Sequence, residues 1–172
     1  MSEKLKIGLE IERKYIIEMP TVATLAAQEN YTESSITQIY ISSAPDETRR
    51  VRRRVYPDRT EYYETSKRRV DRMSSDERER EITSCEYERL AEQILPDTIP
   101  VKKQRYTFVF LGQTFEIDVY PQWSHSAIME TELPGRDTAV TMPPFIRIIR
   151  EVTGDKAYSN ATMSKAFPPE DK

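Results

Sequence analysis

Leu9-Glu10-Ile11-Glu12-Arg13-Lys14-Tyr15 alternates apolar or aromatic residues with charged ones. Glu10, Glu12 and Lys14 share one parity; Leu9, Ile11 and Tyr15 share the other. Successive side chains of a β-strand point to opposite faces. The two acids and the lysine therefore line one side of a strand whose other side packs. Two carboxylates spaced to hold a hard cation, with an ammonium next in line, point to a site for metal and phosphate together.

The pattern recurs along the chain. Phe115-Glu116-Ile117-Asp118-Val119 sets Glu116 and Asp118 on one face, and Met129-Glu130-Thr131-Glu132-Leu133 does the same with Glu130 and Glu132. Glu77, Glu79 and Glu81 alternate with Arg78, Arg80 and Ile82. Basic rows follow the same period: Arg50, Arg52 and Arg54, then Lys67 and Arg69, then Lys103 and Arg105. In a single antiparallel strand this alternation describes a solvated face as readily as a site. Repeated over six or seven strands, the rows are explained together by a closed barrel with a polar lumen and an apolar exterior.

The 172 residues suit one domain with a sizeable core, taken here as residues 1–172 with 167–172 a loose tail. Charged residues make up 32% and hydrophobic ones 37%. Twenty-six bases against 29 acids leave a net charge of −3. A generally basic nucleic-acid binder is excluded, and the balance suits a site holding metal and polyanion together. One cysteine, Cys85, permits no intrachain disulfide and fits a reducing, cytoplasmic setting. No apolar run approaches the roughly 20 residues of a membrane span. The expected partner is a small molecule, with no nucleic acid or membrane, bound by a monomer or homodimer.

The coarse order of elements is strand-rich. Strands are predicted over 7–17, 36–41, 49–56, 61–70, 77–83, 101–110, 114–120 and 127–133, with Leu111-Gly112-Gln113 a tight hairpin. Helices are predicted from Pro20 to about Asn30, from a Thr83 or Ser84 N-cap to about Leu95, over 145–152, and within 155–166. Cys85 is expected as a small buried residue, Trp123 and His125 as loop packing, and Lys165 at the surface. Neither Ser66 nor Cys85 has an adjacent base in sequence, so nothing points to a covalent nucleophile.

In this ordered series the sequence resembles the CYTH superfamily, the triphosphate tunnel metalloenzymes. Glu10-x-Glu12-x-Lys14 is that family's signature. Arg50-Val51-Arg52, Thr65-Ser66-Lys67, Glu79-Arg80-Glu81, Lys103-Gln104-Arg105, Glu116-Ile117-Asp118 and Glu130-Thr131-Glu132 follow in the family's order. Val152-Thr153-Gly154-Asp155 and Tyr158-Ser159-Asn160 also look like the family, so the resemblance runs from residue 7 to about 166. One departure stands out: the family often has a glycine after the lysine matched by Lys67, where this chain has Arg68 and Arg69.

The resemblance implies an α+β fold, an eight-stranded antiparallel β-barrel forming a polar tunnel with helices packed outside. It implies an enzyme acting on triphosphate compounds with Mg2+ or Mn2+, here a hydrolase of inorganic triphosphate by in-line attack of a metal-activated water. Glu10, Glu12 and Lys14 are the expected catalytic residues. Glu10, Glu12, Glu116, Asp118, Glu130 and Glu132 are expected to hold metal, since hard cations take carboxylate oxygens. Lys14, Arg50, Arg52, Lys67, Arg69, Lys103 and Arg105 are expected to grip phosphate, with Glu79 and Glu81 as further tunnel acids. The alternatives are a class IV-type adenylate cyclase, a thiamine triphosphatase with Trp123 as the sole ring platform, or a non-catalytic polyphosphate- or nucleotide-binding module.

Overall fold

Strand β1 (Leu5–Glu18) is long enough to serve two neighbours on opposite edges. Leu5 to Ile11 pair antiparallel with β5 (Ser74–Glu81), and Glu12 to Glu18 pair with β8 (Ser126–Glu132). Between these run β2 (Glu29–Ile41), β3 (Thr48–Val55), β4 (Thr60–Arg69), β6 (Val101–Phe110) and β7 (Gln113–Val119). The order is β5-β4-β3-β2-β6-β7-β8-β1, and the β1–β5 pairing closes an eight-stranded antiparallel barrel. This computed structural model describes residues 5–171; of the expected domain, residues 1–4 and 172 lie outside the described residues.

The 145–152 segment departs from the predicted helix. Phe145 packs against the outer core and Ile146 is buried in it. Strand β9 (Ile148–Glu151) then pairs with β1 at Ile17, Ile16 and Tyr15. The reason is an unpaired edge: β5 leaves β1 beyond Ile11, and the β-branched Ile148-Ile149 pair suits an extended strand that fills the gap.

Three short helices dress the barrel. Helix α1 (Val22–Ala26) is capped by Thr21 and is shorter than predicted, because β2 already begins at Glu29. Helix α2 (Ser84–Ala91) starts at Thr83 with a reciprocal capping box to Glu86. Cys85 in its first turn is exposed, not buried, since α2 turns Tyr87 and Leu90 inward instead. After a 3-10 turn at Lys156–Tyr158 comes α3 (Asn160–Met163). The two-residue hairpin between β6 and β7 has φ of 46° at Leu111 and 77° at Gly112, the left-handed pair that matches strand twist.

Apolar packing lies mainly outside the barrel wall. Tyr15, Ile17, Phe108, Phe115, Ile117 and Met129 face Leu25 of α1 and Ile146. Ile41 and Val51 face Tyr87 and Leu90 of α2. A third cluster contains Ile16, Tyr40, Val101, Tyr120 and Ile128, which meet Val152, Tyr158 and Met163 from the C-terminal segment. Ile16, Tyr40, Val101, Tyr120 and Ile128 share the parity of the charged rows, so this cluster plugs part of one end of the lumen.

Residues 167–171 are bound in place rather than loose. The Trp123 indole N–H donates to the Pro168 carbonyl at 3.1 Å, and Phe167 packs edge-on against Trp123 and Tyr120. Glu170 accepts the backbone N–H groups of Ser124, His125 and Ser126, which lowers its carboxyl pKa to about 2.

Candidate active site

Inside the barrel is a cavity of about 580 Å³. It is lined by Glu10, Glu12, Lys14, Arg50, Arg52, Lys67, Arg69, Glu79, Lys103, Arg105, Glu116, Glu130 and Glu132, bringing together most of the residues singled out from sequence. The shared parity of each row produces this arrangement, because one face of every strand turns inward in a closed barrel. Acids come mainly from β1, β5 and β8, and guanidinium and ammonium groups mainly from β3, β4 and β6. The two signs face each other across the cavity.

Lys67 stands between the two sides. Its Nζ lies 2.9 Å from Glu10 and 3.6 Å from Glu77. The Lys14 Nζ lies 3.1 Å from Glu130 and donates to the Tyr158 carbonyl at 3.3 Å. Arg52 reaches Glu79 at 3.4 Å, and the Thr65 hydroxyl donates to the same carboxylate at 2.8 Å.

Crowding shows in the proton equilibria. Burial, reinforced by Glu130, pushes the Glu12 carboxyl up to about 8 despite Lys14 and Lys67. Burial and a shared hydrogen bond with Glu77 raise Glu10 as well. Burial also acts to raise Glu130, but Lys14, Arg105 and Lys103 hold it at about 2. On the basic side, burial drops Lys103 to about 7 even beside Asp118. Burial and the neighbouring Arg50 bring Arg52 down to about 10. Burial is the largest influence on each of these groups, with the neighbouring charges acting on top of it.

Three sequence-predicted residues have other placements. Asp118 does not line the cavity: its carboxylate lies behind Lys103 and Arg105, at 2.7 Å from each. Buried and doubly paired, it orients two cations rather than presenting a free oxygen. Glu81 is exposed at the far end of β5 and is not a lining residue. Arg69 lines the cavity, but its guanidinium donates to the Asp71 and Arg72 carbonyls at 3.1 and 3.3 Å. It shapes the β4–β5 turn, whose Arg72 in turn donates to the Thr153 carbonyl at 2.9 Å.

Lining residues beyond the predicted set include Lys6, Arg54, Thr65, Glu77 and Asn160. Glu77 and Arg54 share the parity of their rows and were readable from it. Asn160 arrives by tertiary folding of the C-terminal segment, which carries no periodic signal. Trp123 is buried among Tyr120, Tyr158 and Phe167, so it offers no ring face to the cavity. Tyr40 is the sole aromatic lining residue among the described residues.

The inorganic triphosphatase of Acetivibrio thermocellus is 32% identical over 160 residues, which is 92% of this chain and 95% of that protein. This chain belongs to the inorganic triphosphatase family of the CYTH superfamily. No family model matches the chain. Among solved structures, the inorganic triphosphatase NE1496 is 27% identical with a TM-score of 0.59, over 93% of this chain and 97% of that one. The PH1819 protein from Pyrococcus horikoshii shares the fold at 20% identity and a TM-score of 0.54, over 74% of this chain and 80% of that one. Within this family member, no helix among the described residues is long and apolar enough to cross a membrane.

The donor chemistry bears on the metal expected from the family. The cavity lining contains carboxylates and hydroxyls and neither His nor Cys, which suits a hard cation such as Mg2+ or Mn2+. Among the described residues, no three His, Cys, Asp or Glu side chains already converge as a ligand cage. Glu10, Glu77 and Glu12 crowd the acidic wall around Lys67 and Lys14, and burial raises Glu10 and Glu12 despite those cations; a divalent ion would add positive charge there.

Proposed function

We propose that this chain is a divalent-metal-dependent triphosphatase whose preferred substrate is inorganic triphosphate. The observation that carries this reading is the segregation of charge: a basic wall faces an acidic wall across one cavity. A triphosphate together with a divalent ion complements both walls at once. The names of the A. thermocellus relative and of NE1496 support the same substrate class.

In this account Arg50, Arg52, Lys67 and Arg105 hold the phosphoryl oxygens, with arginine forks taking two oxygens where geometry allows. Asp118 keeps Lys103 and Arg105 aimed into the cavity. Glu10, Glu12, Glu130 and Glu132 would hold Mg2+ or Mn2+, with Glu116 nearby. When bound, such an ion neutralises phosphate charge and acidifies a coordinated water. Lys14, held by Glu130 and the Tyr158 carbonyl, places a fixed positive charge on the acidic wall. Water attacks the terminal phosphorus in line as the bond to the bridging oxygen breaks, so that pyrophosphate leaves, orthophosphate forms and water's proton is released; positioning with charge stabilisation provides most of the rate. A single tyrosine on the lining, among the described residues, gives a nucleoside base or thiamine ring little to stack on, which favours the inorganic substrate.

The test is a product assay over inorganic triphosphate, ATP and thiamine triphosphate, with Mg2+, Mn2+ or chelator. Phosphate released fastest from inorganic triphosphate, and only with metal, is the expected result. Pyrophosphate from ATP would instead make this a cyclase, and tight triphosphate binding without turnover would make it a binding module. A rise in melting temperature with Mg2+ in wild type but not in Glu12→Gln reads metal binding without recourse to activity.

A further inference from the structure

Among the described residues, the first half of β1 has one strand neighbour. Leu5 to Ile11 pair with β5 on one edge, while the β8 pairing on the other edge begins only at Glu12. The backbone alternation is fixed by two contacts. The Glu12 N–H donates to the Met73 carbonyl on the β5 side, and the Ile11 carbonyl accepts from Leu133 on the β8 side. Odd residues therefore direct their N–H and C=O groups to the β8 side, and for Leu5, Ile7 and Leu9 no strand of the described residues lies there. The side chains of the same residues form an outward apolar stripe, with Leu5 45%, Ile7 67% and Leu9 51% exposed. Natural sheet edges are usually blunted by charge, proline or a cover, because an open edge recruits another strand. Leu5, Ile7 and Leu9 themselves carry no charge, while Lys6 and Glu10 stand on the inner face.

We propose that two copies of the chain pair antiparallel through this edge, about a two-fold axis at Ile7. The sequence is self-complementary in that register. Leu5 faces Leu9 of the partner subunit, Ile7 faces Ile7 of the partner subunit, and each pair exchanges two main-chain hydrogen bonds. The apolar stripes then merge on the outer surface. On the inner face Lys6 lies opposite Gly8 of the partner subunit, and nothing within 4 Å occupies the space where a Gly8 Cβ would stand. Lys6 then has both Lys6 of the partner subunit and Glu10 of the partner subunit as diagonal neighbours, one of like and one of opposite charge. Because Lys6 and Glu10 both line the cavity, the pairing brings the partner's charges to the tunnel wall where β1 lacks its second neighbour.

Sedimentation velocity of the full chain over a micromolar to submillimolar range tests this, with Ile7→Lys and Ile7→Glu as variants. Wild type is expected to sediment as a dimer. Each variant places like charges on the axis and is expected to be monomeric, with circular dichroism unchanged because residue 7 is exposed. An equimolar mixture of the two variants is expected to return to dimer, an outcome that misfolding does not produce. Leu9→Lys gives a second disruption should either variant fail to fold. A wild type that stays monomeric throughout, or an Ile7→Lys variant that remains dimeric, overturns the proposal.

Discussion

Arg105 and Asp118 meet through two parallel contacts, Nε to Oδ1 at 2.7 Å and Nη2 to Oδ2 at 2.9 Å. Lys103 closes on the same carboxylate at 2.7 Å, and the second guanidinium prong of Arg105 reaches Glu116 at 2.6 Å. One buried acid thus positions two cavity cations. Asp118→Ala strips Lys103 of its carboxylate and leaves Arg105 with Glu116 alone in a buried setting, and is expected to cost about 3–5 kcal/mol, measured by urea unfolding. Asp118→Asn keeps the shape and is expected to cost less, while weakening triphosphate binding through misaimed Lys103 and Arg105. Unchanged stability in Asp118→Ala would show that the cations do not depend on it.

Glu12 ties stability to pH. Its folded pKa of about 8 lies above the 4.5 of the free side chain, so the folded state holds the proton more tightly. The stabilisation is complete below about pH 4.5 and is lost as pH rises towards 8. Without metal, Glu12→Gln should therefore gain stability relative to wild type across that window, by on the order of 2 kcal/mol after allowance for screening. Saturating Mg2+ should narrow the gap. Thermal melts of both proteins at several pH values supply the comparison.

Gly154 sits at φ of +77°, and a Cβ there would lie 2.3 Å from the Arg72 Cγ and 2.9 Å from the Arg72 carbonyl oxygen. Gly154→Ala combines backbone strain with a clash against main chain and should destabilise by about 1–3 kcal/mol. The Lys14 N–H, which donates to the Thr153 hydroxyl at 3.0 Å, should exchange faster in the variant. Hydrogen exchange at Lys14 checks this without reference to turnover.

Trp123 serves packing in this account. Trp123→Phe should cost about 1 kcal/mol through the lost N–H bond to Pro168. The ratio of kcat/KM for inorganic over thiamine triphosphate should stay unchanged. A selective loss with thiamine triphosphate would place the indole at the substrate.

The barrel was legible because period-two alternation is a physical consequence of strand geometry. Glu10, Glu12 and Lys14 face inward for the same reason as Glu130 and Glu132. Parity, however, reports only which face a residue occupies, not its depth or its partners. Asp118 and Glu116 share a face, yet only Asp118 is sealed behind Lys103 and Arg105. Glu81 keeps its row's parity but reaches the open end of β5. In the 145–152 segment Phe145, Ile146, Ile149 and Val152 fit helical spacing as well as they fit a strand. The deciding factor, the vacant edge of β1 beyond Ile11, exists only once the barrel has closed. The Glu170 clamp on residues 124–126 is likewise a tertiary contact with no local signature.

The most direct measurement is the initial rate of phosphate release from inorganic triphosphate by wild type, Glu12→Gln and Arg52→Ala, with Mg2+ and with chelator. Turnover is expected in wild type with Mg2+ alone, with a loss of about a hundredfold or more in kcat for Glu12→Gln and a rise mainly in KM for Arg52→Ala. Full activity in chelator, or wild-type rates from Glu12→Gln, would contradict a metal-dependent triphosphatase built on Glu12.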